Sequence, residues 1–239
     1  MRGLAATLAV VFALAPLRSQ DVRSQGAPVP RSTVIVIDAG HGGEDVGVRS
    51  PSGVEEKQLT LEVAQTLKSR IEAALGLRVI MTRDDDRLLT ADERAAAANA
   101  SGGGLFISLH ANAAPAAAVS GAEVYYQALD PSGVDASLAD TFFIPWERAQ
   151  ARHHELSARA AGIVQEELQQ AATVSPHPPR PAFLRPLVGV NMPAVLVEML
   201  DLTNSEQDQT VVEIKERVAT ALAASVDRFL AAAASFGPQ

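Results

Sequence analysis

Cysteine is absent from the 239-residue chain, which excludes a disulfide-stapled scaffold, a thiolate-ligated zinc site and a cysteine nucleophile. Basic residues are in deficit: 20 Lys and Arg stand against 28 Asp and Glu, so the basic face that a dedicated nucleic-acid binder needs is missing. Also missing is an apolar run of roughly 20 residues, the length of a membrane-spanning helix. No internal repeat is visible. What remains is ordinary for a folded domain, with 47% hydrophobic and 20% charged residues.

Residues 1–20 read as an export signal. Arg2 is the positive start, Leu4 to Ala15 form the apolar run, and Ala13-Leu14-Ala15 offers a small-x-small cleavage pattern followed by Pro16. An uncleaved anchor is the alternative. Removing this segment takes away Arg2 and Arg18 and moves the net charge from −8 to about −10. Residues 21–32 read as a linker and 33–235 as one folded domain.

From Thr33 onward, strand and helix patterns alternate. Val34 to Ile37 is a β-branched run of the kind buried on both faces. Leu59, Val63, Leu67, Ile71 and Leu75 recur every four residues as a helix stripe, which Gly76 ends. Further strands are expected at 79–81, 105–109, 124–126 and 194–197. Thr90 to Glu93 is a capping box opening an Ala-rich helix. A long helix is expected over 146–170, then a Pro-rich loop over 176–186. Asn204 with Gln207 is placed to cap a last helix whose apolar face carries Val211, Ile214, Val218, Leu222, Val226 and Phe229. The fold class this implies is α/β: a single-domain, open, mostly parallel twisted sheet with helices on both faces.

In such sheets, sites form beyond the carboxyl ends of the strands. Those ends carry His41 after the first strand, His110 after the strand at 105–109, and Glu198 after the strand at 194–197. Glu55 and Glu56 follow on the same edge, and spacing does not separate them. Two imidazoles and a carboxylate suit a zinc ion with an open position better than they suit Mg²⁺. A further carboxylate off the metal could shuttle a proton. Taken singly, each residue is more often structural; their shared edge favours a metal site. His153 and His154 read as a solvated helix face, and His177 as a loop residue. Phe142, Phe143 and Trp146 read equally well as the rim of an open site or as packing for the long helix.

The stretch from Val34 through His41, Gly42, Gly43, Asp45 and Gly47, followed by Glu56-Lys57, resembles the zinc-dependent N-acetylmuramoyl-L-alanine amidases of the amidase-3 type. So do Thr82-Arg83-Asp84, Glu93-Arg94 with Asn99, Phe106 to Asn112, and Pro193 to Glu198. The resemblance runs from about Thr33 to Phe229. It implies one zinc ion held by His41, Glu56 and His110, with Glu198 as the catalytic carboxylate; the lysine after the family's first-helix glutamate selects Glu56 over Glu55. Asn112 and Arg185 are further candidates for binding substrate. The implied reaction cuts the amide between N-acetylmuramic acid and L-alanine in peptidoglycan, in cell-wall remodelling or daughter-cell separation, in the periplasm or outside the cell. Peptidoglycan is the implied partner; an activator protein is neither named nor excluded. A zinc peptidase or other amidohydrolase on the same fold, or an inactive wall-binding module, are the alternatives. Two departures stand out. The family usually has Gly-Phe where this chain has Leu200-Asp201, and the 112–194 interval reads as too simple for the inhibitory helix of some members.

Overall fold

A computed structural model describes residues 34–111, 121–129, 145–172, 174–203 and 211–234. Six strands form one sheet: β1 (Val34–Ala39), β2 (Arg78–Met81), β3 (Leu105–His110), β4 (Glu123–Gln127), β5 (Arg180–Ala182) and β6 (Ala194–Glu198), in the order β2-β1-β3-β6-β4-β5. The first four in that order run parallel, and β4 pairs antiparallel to β6 and parallel to β5. The helices are α1 (Glu56–Leu75), α2 (Ala91–Ser101), α3 (His154–Ala171) and α4 (Val211–Ala234). The expected α/β class, mostly parallel sheet and helices on both faces are all present.

The period-two alternation of strand side chains divides the interior into two cores. Ile35, Ile37, Leu105, Ile107, Leu109, Val195 and Val197 face the larger one, which α1, α3 and α4 cover. Val36, Phe106, Ala194 and Leu196 face a smaller one, closed by Ala95 and Ala98 of α2 and by Leu187, Val190 and Met192. The central strands are buried on both sides, so their apolar runs are continuous. Helix ends follow the sequence signals. Gly76 closes α1 at φ 64°, a left-handed conformation that glycine adopts without penalty, and Thr90 with Glu93 makes a complete capping box on α2. Among the described residues, no helix is long and apolar enough to cross a membrane.

Two elements differ from expectation. The long helix over 146–170 begins as a 3-10 segment, Trp146–His153, and becomes α-helical only from His154. Gln150 in that segment is buried and donates to the carbonyls of Val190 and Met192, a tertiary tie that periodicity does not reveal. The expected Pro-rich loop contains β5, a strand of three residues with Pro181 at its centre. Proline lacks the N–H of an internal ladder, and β5 is the edge strand where that loss is tolerated. The cap expected from Asn204 and Gln207 lies outside the described residues.

Candidate active site

Parallel pairing brings the ends of β1, β3 and β6 to one edge. His110 stands opposite Glu198 in the β3–β6 register, and Glu123 of β4 stands opposite Glu198 on its other side. Strand parity puts all three on the face that α2 covers. Two residues past the end of β1, His41 takes φ 60°, the only positive φ outside glycine among the described residues. That turn brings its imidazole back over the first turn of α1, where Glu56 is buried.

Both imidazoles converge on one carboxylate oxygen. His41 Nε2 lies 3.0 Å and His110 Nδ1 3.1 Å from Glu56 Oε1. The same oxygen accepts the Ala111 N–H at 2.9 Å, and Oε2 accepts the Val48 N–H at 3.0 Å. Burial alone would oppose ionisation of Glu56, but the hydrogen bonds from His110 and His41 outweigh it and hold the carboxyl well below its usual range. Burial likewise works against charge on His41, yet its bonds to Glu56 and Asp45 raise its pKa. Asp45 Oδ2 sits 2.8 Å from His41 Nδ1, which leaves Nε2 as the nitrogen facing Glu56. Glu55, the neighbour that spacing could not exclude, turns outward to Arg49.

One ligand atom from each of His41, Glu56 and His110 lies within 4.8 Å of the other two. Two nitrogens and a hard oxygen, without sulfur, fit a divalent transition metal with room for further ligands. Two glycines make this convergence possible. A Cβ at Gly40 would stand 2.5 Å from His110 Cε1, and one at Gly47 2.6 Å from Glu56 Oε2.

Beside the cluster, Glu198 is pushed up to about 7, by burial first; the His110 charge opposes this, and Glu56 and Glu123 add to it. Its Oε2 and the Nε2 of His110 are buried, with no hydrogen-bond partner among the described residues. A carboxyl so placed can hold a proton near neutral pH and give it up again. Leu200 and Asp201, in place of the family's Gly-Phe pair, fit without strain. Leu200 is buried in the larger core at a φ that is not positive, and Asp201 accepts from the Thr203 N–H and hydroxyl.

The chain as a whole is similar to known proteins. The family profile described as N-acetylmuramoyl-L-alanine amidase (Amidase_3) matches residues 35–228. The chain belongs to the Amidase_3 family. It is 28% identical over 226 residues to the N-acetylmuramoyl-L-alanine amidase AmiC of Neisseria meningitidis serogroup B, covering 84% of this chain and 53% of that protein. It thus spans about half the length of that relative. Among solved structures, the catalytic domain of CwlV, an N-acetylmuramoyl-L-alanine amidase of Bacillus (Paenibacillus) polymyxa, superposes with a TM-score of 0.62 at 26% identity, over 83% of this chain and 98% of that one. An N-acetylmuramoyl-L-alanine amidase from Clostridium difficile 630 has a TM-score of 0.67 at 24% identity, over 84% and 97% of the two chains, and shows the same fold.

Of the residues that the sequence singled out, His41, Glu56, His110 and Glu198 share the carboxyl edge. Asn112 lies outside the described residues. Arg185 does not join the cluster. Strand β5 runs antiparallel to β6, so Ala182 is already level with Gln127, and the exposed Arg185 beyond it sits at the amino end of β6. Trp146 goes with it: its ring lies against Gly189, on the approach to β6, whereas Phe142 and Phe143 are outside the described residues. The basic residue beside Glu123 is instead Arg180, which donates to Glu123 Oε1 at 2.5 Å and to the Tyr125 hydroxyl at 3.0 Å. Sequence reasoning missed it because the Pro-rich segment gave no sign of a strand to bring it there.

Proposed function

We propose that this chain hydrolyses the amide between N-acetylmuramic acid and L-alanine of peptidoglycan, with zinc held by His41, Glu56 and His110. The observation that carries this reading is the convergence of three donors beside a buried carboxyl, Glu198, in a chain of this family. Zinc bound there supplies Lewis acidity toward the amide carbonyl and makes water more acidic. Glu198 takes the proton from the attacking water and returns it to the departing alanine nitrogen. Asp45 keeps the His41 tautomer fixed, with Nδ1–H toward the carboxylate and Nε2 toward the site. The acidic chain meets its wall substrate through local contacts along the sheet edge rather than by overall charge. The setting is outside the cytoplasm, in wall remodelling or daughter-cell separation.

Mass spectrometry of peptidoglycan digested by the purified chain tests the reaction. Peptides beginning with L-alanine, released from intact glycan strands, are expected; cleavage inside the peptide would replace this reading by a peptidase. Treatment with a chelator is expected to abolish the release and added Zn²⁺ to restore it, and activity indifferent to chelation would remove the metal.

A further inference from the structure

Beneath the site lie two buried arginines. Arg94 of α2 forms an ion pair with Asp38 at 2.8 Å and donates to the carbonyls of Ala39 and His41. Asp38 also accepts the hydroxyls of Thr82 and Ser108, so the Arg94 charge is balanced and its partner satisfied. Arg83 is different. It is fully buried, yet no carboxylate among the described residues lies within ion-pair distance of it. All its acceptors are neutral: Nε donates to Ala39 O at 2.9 Å, Nη1 to Asp85 O at 3.0 Å, and Nη2 to Gly40 O at 2.8 Å, Lys57 O at 2.7 Å and Thr60 Oγ1 at 3.2 Å.

A cation buried on neutral carbonyls is a poor source of stability, since desolvation opposes it and an apolar residue of similar volume often does as well. Burial and the nearby Arg94 charge both lower the Arg83 pKa, which is the same cost seen from another side. What the arrangement accomplishes lies in which carbonyls it joins. Gly40 immediately precedes His41, and Lys57 immediately follows Glu56. One guanidinium nitrogen therefore ties the turn carrying the first ligand to the helix start carrying the second. Thr60 closes the same bridge, donating its hydroxyl to Gly40 O at 2.9 Å.

We propose that Arg83 is a positioning residue that sets the spacing of His41 and Glu56, and hence the affinity of the site for its metal. This rests on the metal reading above. Lysine keeps the charge but not the planar fork, so it cannot span Ala39, Gly40, Lys57 and Asp85 together.

The test is the zinc dissociation constant of the full chain, measured by competition with a chromophoric chelator, together with the melting temperature of the metal-free protein. Arg83→Lys is expected to weaken zinc binding by about 10–100-fold, the range typical of lost support behind metal ligands. It should also alter the visible absorption spectrum of the Co²⁺-loaded protein. Thr60→Val, which removes one hydroxyl from the same bridge, should weaken binding by a smaller factor and carries the test if Arg83→Lys does not fold. Val226→Ala, in the core under α4, should lower the melting temperature and leave both metal readouts unchanged. If Arg83→Lys and Thr60→Val bind zinc as the wild type does, the inference falls alone. A wild-type chain that takes up no zinc would take the metal reading down with it.

Discussion

A histidine at φ 60° is an uncommon choice, and leaving the usual regions costs on the order of 1–2 kcal/mol. The site holds it there by bonding the backbone on either side: Arg94 takes His41 O, Gly42 and Asp45 exchange backbone hydrogen bonds, and Asp45 holds the imidazole. At this scale the sharpest expectation concerns Glu198. Glu198→Gln keeps the shape but removes the proposed proton carrier, so it should bind one zinc per chain while its rate on peptidoglycan falls by about 10²–10⁴-fold. Metal analysis alongside a turnover assay checks this, and undiminished turnover would end its role. Gly40→Ala should act through the ligands instead. The added Cβ would lie 2.5 Å from His110 Cε1, so the ring must move; loss of bound zinc in the purified variant is the expected result.

At the scale of elements, α2 depends on its first turn. The capping box of Thr90 and Glu93 satisfies donors at the helix start, and Arg94, one residue on, reaches Asp38 and His41 O. Thr90→Ala should cost about 1 kcal/mol, read as a lower urea midpoint at unchanged slope. The other side of the sheet edge depends on β5. Arg180 keeps the buried Glu123 paired beside Glu198, with Tyr125 as a second donor. These cases also mark where reading a sequence stops. Capping boxes, helix stripes and continuous β-branched runs are local signals, and each appeared where its residues stood. Arg180 and Gln150 owe their positions to partners 40 or more residues away along the chain or to an edge strand built around proline, and no local period encodes either.

For the molecule as a whole, the larger core joins α1, α3 and α4 to one face of the sheet, and ion pairs run across their outer surfaces, Lys215 to Glu62 and Arg228 to Glu166 and Glu167. Exposed pairs of this sort add little. Without disulfides, stability rests on aliphatic packing, so Leu222→Ala, at a fully buried position of α4, should cost about 2–5 kcal/mol in chemical denaturation. On the proposed metal reading, a bound ion would be the other global contribution. Zinc at about 100 times its dissociation constant should stabilise the metal-free protein by roughly 2.7 kcal/mol, visible as a rise in melting temperature that Mg²⁺ does not reproduce. No rise with zinc would mean that the cluster binds none.

The α/β class, the strand-end placement of His41, His110 and Glu198, and the absence of thiol ligands were all determined by the sequence alone, because periodicity and composition are local properties. The choice of Glu56 over Glu55 came from family resemblance; in the tertiary structure the Glu56 side chain is buried against two imidazoles and that of Glu55 turns to Arg49. That Arg185 lies toward the amino end of β6 and that Arg83, Arg94 and Asp38 underlie the site is visible in the folded chain alone. Those outcomes depend on strand direction and on which backbone carbonyls meet across the fold, and neither exists before the sheet has formed.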